Sequence, residues 1–155
     1  MDSVPNKVKL TLIVGATDNP ERYAYRAADL LQANGVPFIP IGIKKGMVFG
    51  EEILDLRQKP SLTGIHTITL YLGPSNQVEW IDYLIGLGPK RIIFNPGTEN
   101  PLFFQKAKTA GIEALEACTL VMLTTGQFWN FSFKKVSMYR IWGREIREIN
   151  TKNRR

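Results

Sequence analysis

A chain of 155 residues, 44% hydrophobic and 22% charged, is long enough for one soluble domain with a core of its own. One cysteine, Cys118, excludes an internal disulfide and a cysteine-built zinc site. No apolar run reaches the length that crosses a bilayer, and the first residues lack a signal peptide's basic and apolar segments, so a cytoplasmic protein without a membrane partner is expected. The net charge of +6 is uneven: residues 1–133 hold 12 Lys and Arg against 12 Asp and Glu, whereas residues 134–155 hold 8 against 2. A neutral body argues against nucleic acid as its partner and leaves that partner open for the tail alone.

Residues 8–14 form an apolar run that ends in Gly15, with the polar turn 15–20 after it. Pro20 and Glu21 stand where a helix begins, and Tyr23, Ala27, Leu30 and Leu31 recur at helical spacing over 22–34 before Gly35 stops the helix. This strand, glycine turn and helix follow the grammar of a phosphate-binding turn. Gly15 allows a sharp bend and close approach of a ligand, free N–H groups at the helix start suit an anion, and Thr17 and Asn19 add side-chain donors. Only the first glycine of the G-x-G-x-x-G fingerprint is present, and an ordinary strand-to-helix connection is the plain alternative.

Residues 36–41 read as a second strand, irregular or at an edge because of Pro37 and Pro40. A glycine- and lysine-bearing loop spans 42–50, and 51–56 reads as a short helix. A third strand covers 66–72, followed by a helix over 77–87 capped by Ser75 or Asn76. A fourth strand covers 91–94, a helix 101–110 closed by Gly111, and a fifth strand 112–123, interrupted near Glu116. Strands alternating with helices predict an α/β fold: a Rossmann-like three-layer sandwich with a five-stranded, mostly parallel sheet, extended by a basic C-terminal segment. Past residue 124 the pattern turns aromatic and then basic. The tail has three open roles: packing on the body, forming a homodimer contact, or fraying in solution.

Three loops, 15–20, 73–76 and 95–98, open on one edge of such a sheet, so Gly15, Gly73, Pro96 and Gly97 line one crevice. The second strand lacks the acidic residue that an NAD site places on the ribose, and Lys44 and Lys45 stand there instead. Two lysines favour an adenosine with an extra phosphate, as in coenzyme A or NADP, and two solvated lysines are the plain alternative. His66, the only histidine, opens a strand at the end away from the crevice and reads as structural, so no Ser/His/Asp triad or HExxH helix can be built. Cys118 reads as a buried small hydrophobe in a strand, with a reactive thiol as the minority reading.

The run from Val14 to Arg22, then Tyr25-Arg26, Leu30-Leu31 and Gly35, resembles the opening of the small stand-alone CoA-binding proteins, which are similar to the CoA-binding domain of succinyl-CoA synthetase. Ile39-Pro40-Ile41, the segment 50–54, Pro60-Ser61-Leu62, Ala110-Gly111 and Glu116-Ala117-Cys118 extend the likeness over about residues 8–120. The chain departs from the family where Ile41-Gly42-Ile43-Lys44-Lys45 replaces a Val-Asn-Pro-Lys-like segment. It departs again where Leu72-Gly73 replaces Phe-Arg, and where the run 94–97 replaces Leu-Gln-Leu-Gly. The charge division sets the expected domain at 1–133 and the tail at 134–155. The resemblance implies a Rossmann-like CoA-binding domain with coenzyme A as cofactor, and it leaves the basic tail uncovered. It implies a nucleotide diphosphate held at Gly15, Ala16, Thr17, Asn19, Pro20, Tyr25 and Arg26, with Gly42, Lys44 and Lys45 on the adenosine side. Non-catalytic binding of CoA or an acyl-CoA is the leading expectation. An NADP-dependent oxidoreductase on the same fold and an interaction protein using the basic tail are the alternatives.

Overall fold

A computed structural model describes residues 9–129. The basic tail, the aromatic residues past Trp129 and the boundary expected at 133 lie outside the described residues. Six parallel strands form the central sheet: β1 (Thr11–Val14), β2 (Phe38–Gly42), β5 (Leu54–Asp55), β6 (Thr67–Leu70), β7 (Arg91–Phe94) and β8 (Glu113–Glu116). Between β2 and β5 a small antiparallel hairpin pairs β3 (Met47–Val48) with β4 (Glu51–Glu52).

The sheet order is β5-β2-β1-β6-β7-β8. The chain therefore runs outward from β1 through β2 to β5, then returns to the other side of β1 with β6. That reversal leaves a crevice between the carboxyl ends of β1 and β6.

Alternation within the strands fills two apolar layers. Ile13 and Ile93 face α1 (Tyr23–Ala33) and α4 (Thr119–Thr124), where Ala24, Ala28, Leu31 and Met122 bury their side chains. Leu12, Val14, Ile68, Ile92 and Phe94 face α2 (Ile81–Gly86) and α3 (Pro101–Thr109), meeting Leu84 and Phe103. Three alanines on the buried side of α1 let it lie close to the sheet, and each fully buried Leu or Ile contributes roughly 1.5–3 kcal/mol. Gly35 and Gly111 end α1 and α3 at φ +71° and +81°, the left-handed region in which a side chain is strained. At the start of α3 the Asn100 side chain accepts from the amides of Leu102 and Phe103, and Pro101 occupies the first turn.

Several elements differ from the sequence expectation. The sheet has six strands rather than five, because Leu54 and Asp55 pair with Ile41 and Gly42. The helix expected over 51–56 is instead β4, β5 and the start of a 3-10 turn at Leu56–Gln58. Phe49 and Gly50 adopt φ +47° and +83°, the two-residue turn that closes a hairpin, and this overrides the helical propensity of Glu51 and Glu52. β2 is paired on both sides, yet β5 reaches only its last two residues, so Pro40 faces β5 without owing it a hydrogen bond. The segment 77–87 forms 3-10 turns and the short α2, whose start at Trp80 has no side-chain cap from Ser75 or Asn76. The fifth expected strand stops at Glu116. Cys118 is the residue before α4 rather than part of a strand, and it is buried as expected.

Candidate functional site

At the carboxyl ends of β1, β6 and β7 lies an open cleft of about 710 Å³. All three loops singled out in the sequence reach it: Gly15, Ala16, Thr17 and Asn19 from the first, Gly73 and Asn76 from the second, Pro96, Gly97 and Thr98 from the third. Lys44 enters from the loop after β2.

Gly15 sits at φ +94°, and a Cβ there would lie 3.0 Å from the carbonyl carbon of Tyr71 and 3.2 Å from Leu72 Cδ2. The loops after β1 and β6 approach so closely that only glycine fits. Gly42 is a second such contact, since its Cβ would stand 3.1 Å from the carbonyl oxygen of Ala16.

The amides nearest the glycine serve the fold. Gly15 and Ala16 both donate to the carbonyl of Ile41, at 2.9 and 3.1 Å. The Asn19 amide donates to Thr17 Oγ1, and that of Glu21 to Asn19 Oδ1. The Thr17 and Asp18 amides have no acceptor among the described residues, so the open donors of this turn lie two to three positions beyond the glycine. Lys44 and Arg22 add positive charge to the cleft wall, and Glu21 adds one carboxylate. Arg22 is the residue before α1, which has no side-chain cap and no acidic residue in its first turn, so Glu21 is the one carboxylate of the cleft wall near the positive end of the helix dipole.

Five of the expected site residues lie outside this cleft. Pro20 precedes the helix start without lining the cavity. Tyr25 packs on Phe49 with ring centroids 4.9 Å apart, and the Arg26 guanidinium lies 5.6 Å above the Tyr23 ring. Gly42 and Lys45 border a neighbouring cleft of about 430 Å³, which also contains Arg57 and shares Ile43 and Lys44 with the first. Arg57 is held there by Asp55, with Nε 2.9 Å from Oδ1, and this contact keeps the Asp55 carboxyl below its ordinary range.

The far wall is fixed by a buried network of amide side chains that sequence reading missed. Gln77, fully buried, donates from Nε2 to the carbonyls of Leu72 and Thr98, 2.8 Å each, and accepts from Asn100 Nδ2 at 2.9 Å. Asn95 donates to Thr69 Oγ1 and the Leu70 carbonyl and accepts from the Thr119 amide at 2.8 Å. Thr69 and Thr119 share a 2.7 Å hydrogen bond beneath the cleft floor. The polar doublet Asn76-Gln77 after a strand was the visible signal. Nothing local shows that Gln77 bridges two loops.

Tyr71 lines the floor. Its hydroxyl is buried beside the Thr69 and Thr119 hydroxyls, and burial pushes the phenol well above its ordinary range while those two hydroxyls oppose the shift. His66 sits at the opposite end of the sheet, immediately before β6. Among the described residues no group of three or more His, Cys, Asp and Glu could hold a metal ion, and no helix is long and apolar enough to cross a membrane.

A family model described as "CoA binding domain" matches residues 9–124. The chain belongs to the CoA binding domain family. Its match takes in every element from β1 to α4 and every loop of the cleft. A crystal structure titled as an uncharacterized protein is 48% identical, with a TM-score of 0.75, over 78% of this chain and 98% of that one. A hypothetical protein from Pyrococcus horikoshii OT3 is 24% identical, with a TM-score of 0.66, over 82% and 87%. The fold is also shared with RSP, a Rex-family repressor, whose complex with beta-NADH is 17% identical with a TM-score of 0.51, over 91% of this chain and 63% of that one. No curated protein matches the chain. As a CoA binding domain, the chain has a cleft whose donor set suits the ligand class: open amides and two cations at one end, amide-braced walls along the rest.

Proposed function

We propose that this CoA binding domain holds coenzyme A or an acyl-CoA without transforming it. The observation that carries the reading is the convergence of open backbone donors at Thr17 and Asp18 with Lys44 and Arg22 on one cleft of nucleotide size. In this reading the diphosphate lies on the turn of Gly15, Ala16, Thr17 and Asn19. Lys44, with Lys45 beside it, meets the extra phosphate of the adenosine. The pantetheine arm runs along Gly73, Pro96 and Gly97, while Pro20, Tyr25 and Arg26 shape the start of α1 from behind.

Two facts support binding without chemistry. The only histidine lies at the opposite end of the sheet, and the only cysteine is buried. Binding of NADP by the same cleft is the second reading, favoured by the beta-NADH complex of RSP on the same fold. Titrating the purified protein with CoA, dephospho-CoA, NADP and NAD, and following both heat and melting temperature, separates the two. CoA at about a hundred times its dissociation constant stabilises the fold by roughly 2.7 kcal/mol, and Lys44→Ala weakens CoA more than dephospho-CoA. A melting temperature unmoved by millimolar CoA rejects the assignment. A shift with NADP alone transfers it to the second reading.

A further inference from the structure

Three cations, Lys44, Lys45 and Arg57, line the second cleft, which opens at the carboxyl ends of β2 and β5 beside the hairpin of β3 and β4. At about 430 Å³ it has room for a nucleoside phosphate. Pairing of Asp55 with Gly42 at the end of the sheet brings Arg57 to the same wall as the two lysines. Asp55 then fixes the arginine. Its Oδ1 accepts from the Arg57 amide at 3.0 Å and from Nε at 2.9 Å, and its Oδ2 accepts from Nη2 at 3.4 Å. No hydrogen bond engages Arg57 Nη1 among the described residues. Neither lysine forms an ion pair among them, and Glu52 is the one carboxylate of this wall outside the Asp55–Arg57 pair. Ile43 and Met47, 57% and 55% exposed, add apolar surface to the same cleft. Because Ile43 and Lys44 line both clefts, the second adjoins the first on the side of the lysine loop.

We propose that this second cleft holds the adenosine end of the ligand, with Arg57 specifying a phosphate monoester on the ribose and Met47 and Ile43 against the base. The proposal rests on the CoA reading above and deepens it by naming the residue that tells a phosphorylated ribose from a plain one. A guanidinium already held by Asp55 is oriented before the ligand arrives, so binding a phosphate there orders less side chain than binding it with a lysine alone. A ribose hydroxyl at the same place gives the three cations no charge to meet.

Calorimetric titration of wild type, Arg57→Ala, Arg57→Lys and Met47→Ala with CoA, dephospho-CoA and the 3′,5′- and 2′,5′-bisphosphates of adenosine tests this. Arg57→Ala binds CoA about tenfold more weakly than wild type does and leaves dephospho-CoA unchanged. Arg57→Lys recovers part of the loss, since it keeps the charge without the planar fork. Without ligand Arg57→Ala melts with wild type, because the pair it breaks is exposed. Met47→Ala weakens CoA and dephospho-CoA by the same factor. An Arg57→Ala protein that loses both ligands equally, or neither, overturns the role of Arg57 while CoA binding by wild type keeps the CoA reading. A Met47→Ala protein that binds both as wild type does overturns the placement of the base. Preference of wild type for the 2′,5′-bisphosphate, lost in Arg57→Ala, upholds the subsite and overturns the CoA reading in favour of NADP. Failure of all four ligands to bind wild type overturns both.

Discussion

At the carboxyl ends of the strands the buried polar groups are neutral dipoles: Asn95 at 2% exposure, Gln77 at 0%, and the hydroxyls of Thr69 and Thr119. At the amino ends of the same strands two cations are buried beside the hydroxyls of Thr11 and Thr67. Arg91 is fully buried, with Nε 2.7 Å from Thr67 Oγ1 and its guanidinium 4.3 Å above the Phe128 ring, and Lys9 is 6% exposed nearby. Desolvation lowers Arg91 to about 10, with Glu113 opposing the shift, and lowers Lys9 as well. Neutral amides fix loop positions while leaving the electrostatic potential of the cleft to Lys44, Arg22 and the open amides. Buried cations raise the positive potential at the amino ends. One end is built to receive charge, and the other to contain it.

Removing the side chain of Arg91 should have the largest effect and separate the two ends. Arg91 is the largest fully buried side chain among the described residues, so Arg91→Ala leaves a cavity under Phe128 and costs about 3 kcal/mol of unfolding free energy in urea. Ligand affinity at the far end of the sheet stays unchanged under folding conditions. Asn95→Ala comes next, at about 2 kcal/mol, since it strips partners from Thr69, Leu70 and the Thr119 amide. Here CoA affinity falls along with stability, because Pro96, Gly97 and Thr98 lose their anchor. If Arg91→Ala weakens binding as much as Asn95→Ala does, the two ends are coupled and the contrast fails.

The parts of the fold that were legible in the sequence are those whose cause is local. Gly35 and Gly111 mark helix ends because no other residue takes that conformation cheaply, and short unbroken apolar runs mark strands buried on both faces. β5 was hidden because two residues have no periodicity, and their strand character comes from pairing with Ile41 and Gly42. α4 was hidden because residues 112–123 read as one strand interrupted near Glu116, whereas the change of structure comes at Thr119, whose amide donates to Asn95 Oδ1. At the site, loop glycines and Lys44 were visible by type and spacing. Arg22, Gln77 and Tyr71 were not, since their roles depend on which loops the sheet brings together.

The smallest expected effect concerns the amino end and has a definite sign. His66 Nδ1 lies 2.8 Å from Thr67 Oγ1, an oxygen that already accepts from Arg91 Nε, so the Thr67 proton is available for a neutral imidazole. Burial and the positive charges of Lys9, Arg91 and Lys90 lower His66 from 6.5 to about 4. An unfolded chain protonates this ring near pH 6.5, whereas the folded one resists until about pH 4. The unfolded state thus binds more protons throughout that window, and stability falls as the pH falls through it. Because the ring is only half-buried, solvent screening holds the loss to about 1 kcal/mol. Urea midpoints of wild type between pH 7 and 4 should fall more steeply than those of His66→Gln, which has no imidazole to protonate, and the two curves should separate below about pH 6.5. Parallel curves would show that the cations of this end do not act on His66, and the charge-containing side of the contrast would then rest on Arg91 and Lys9 alone.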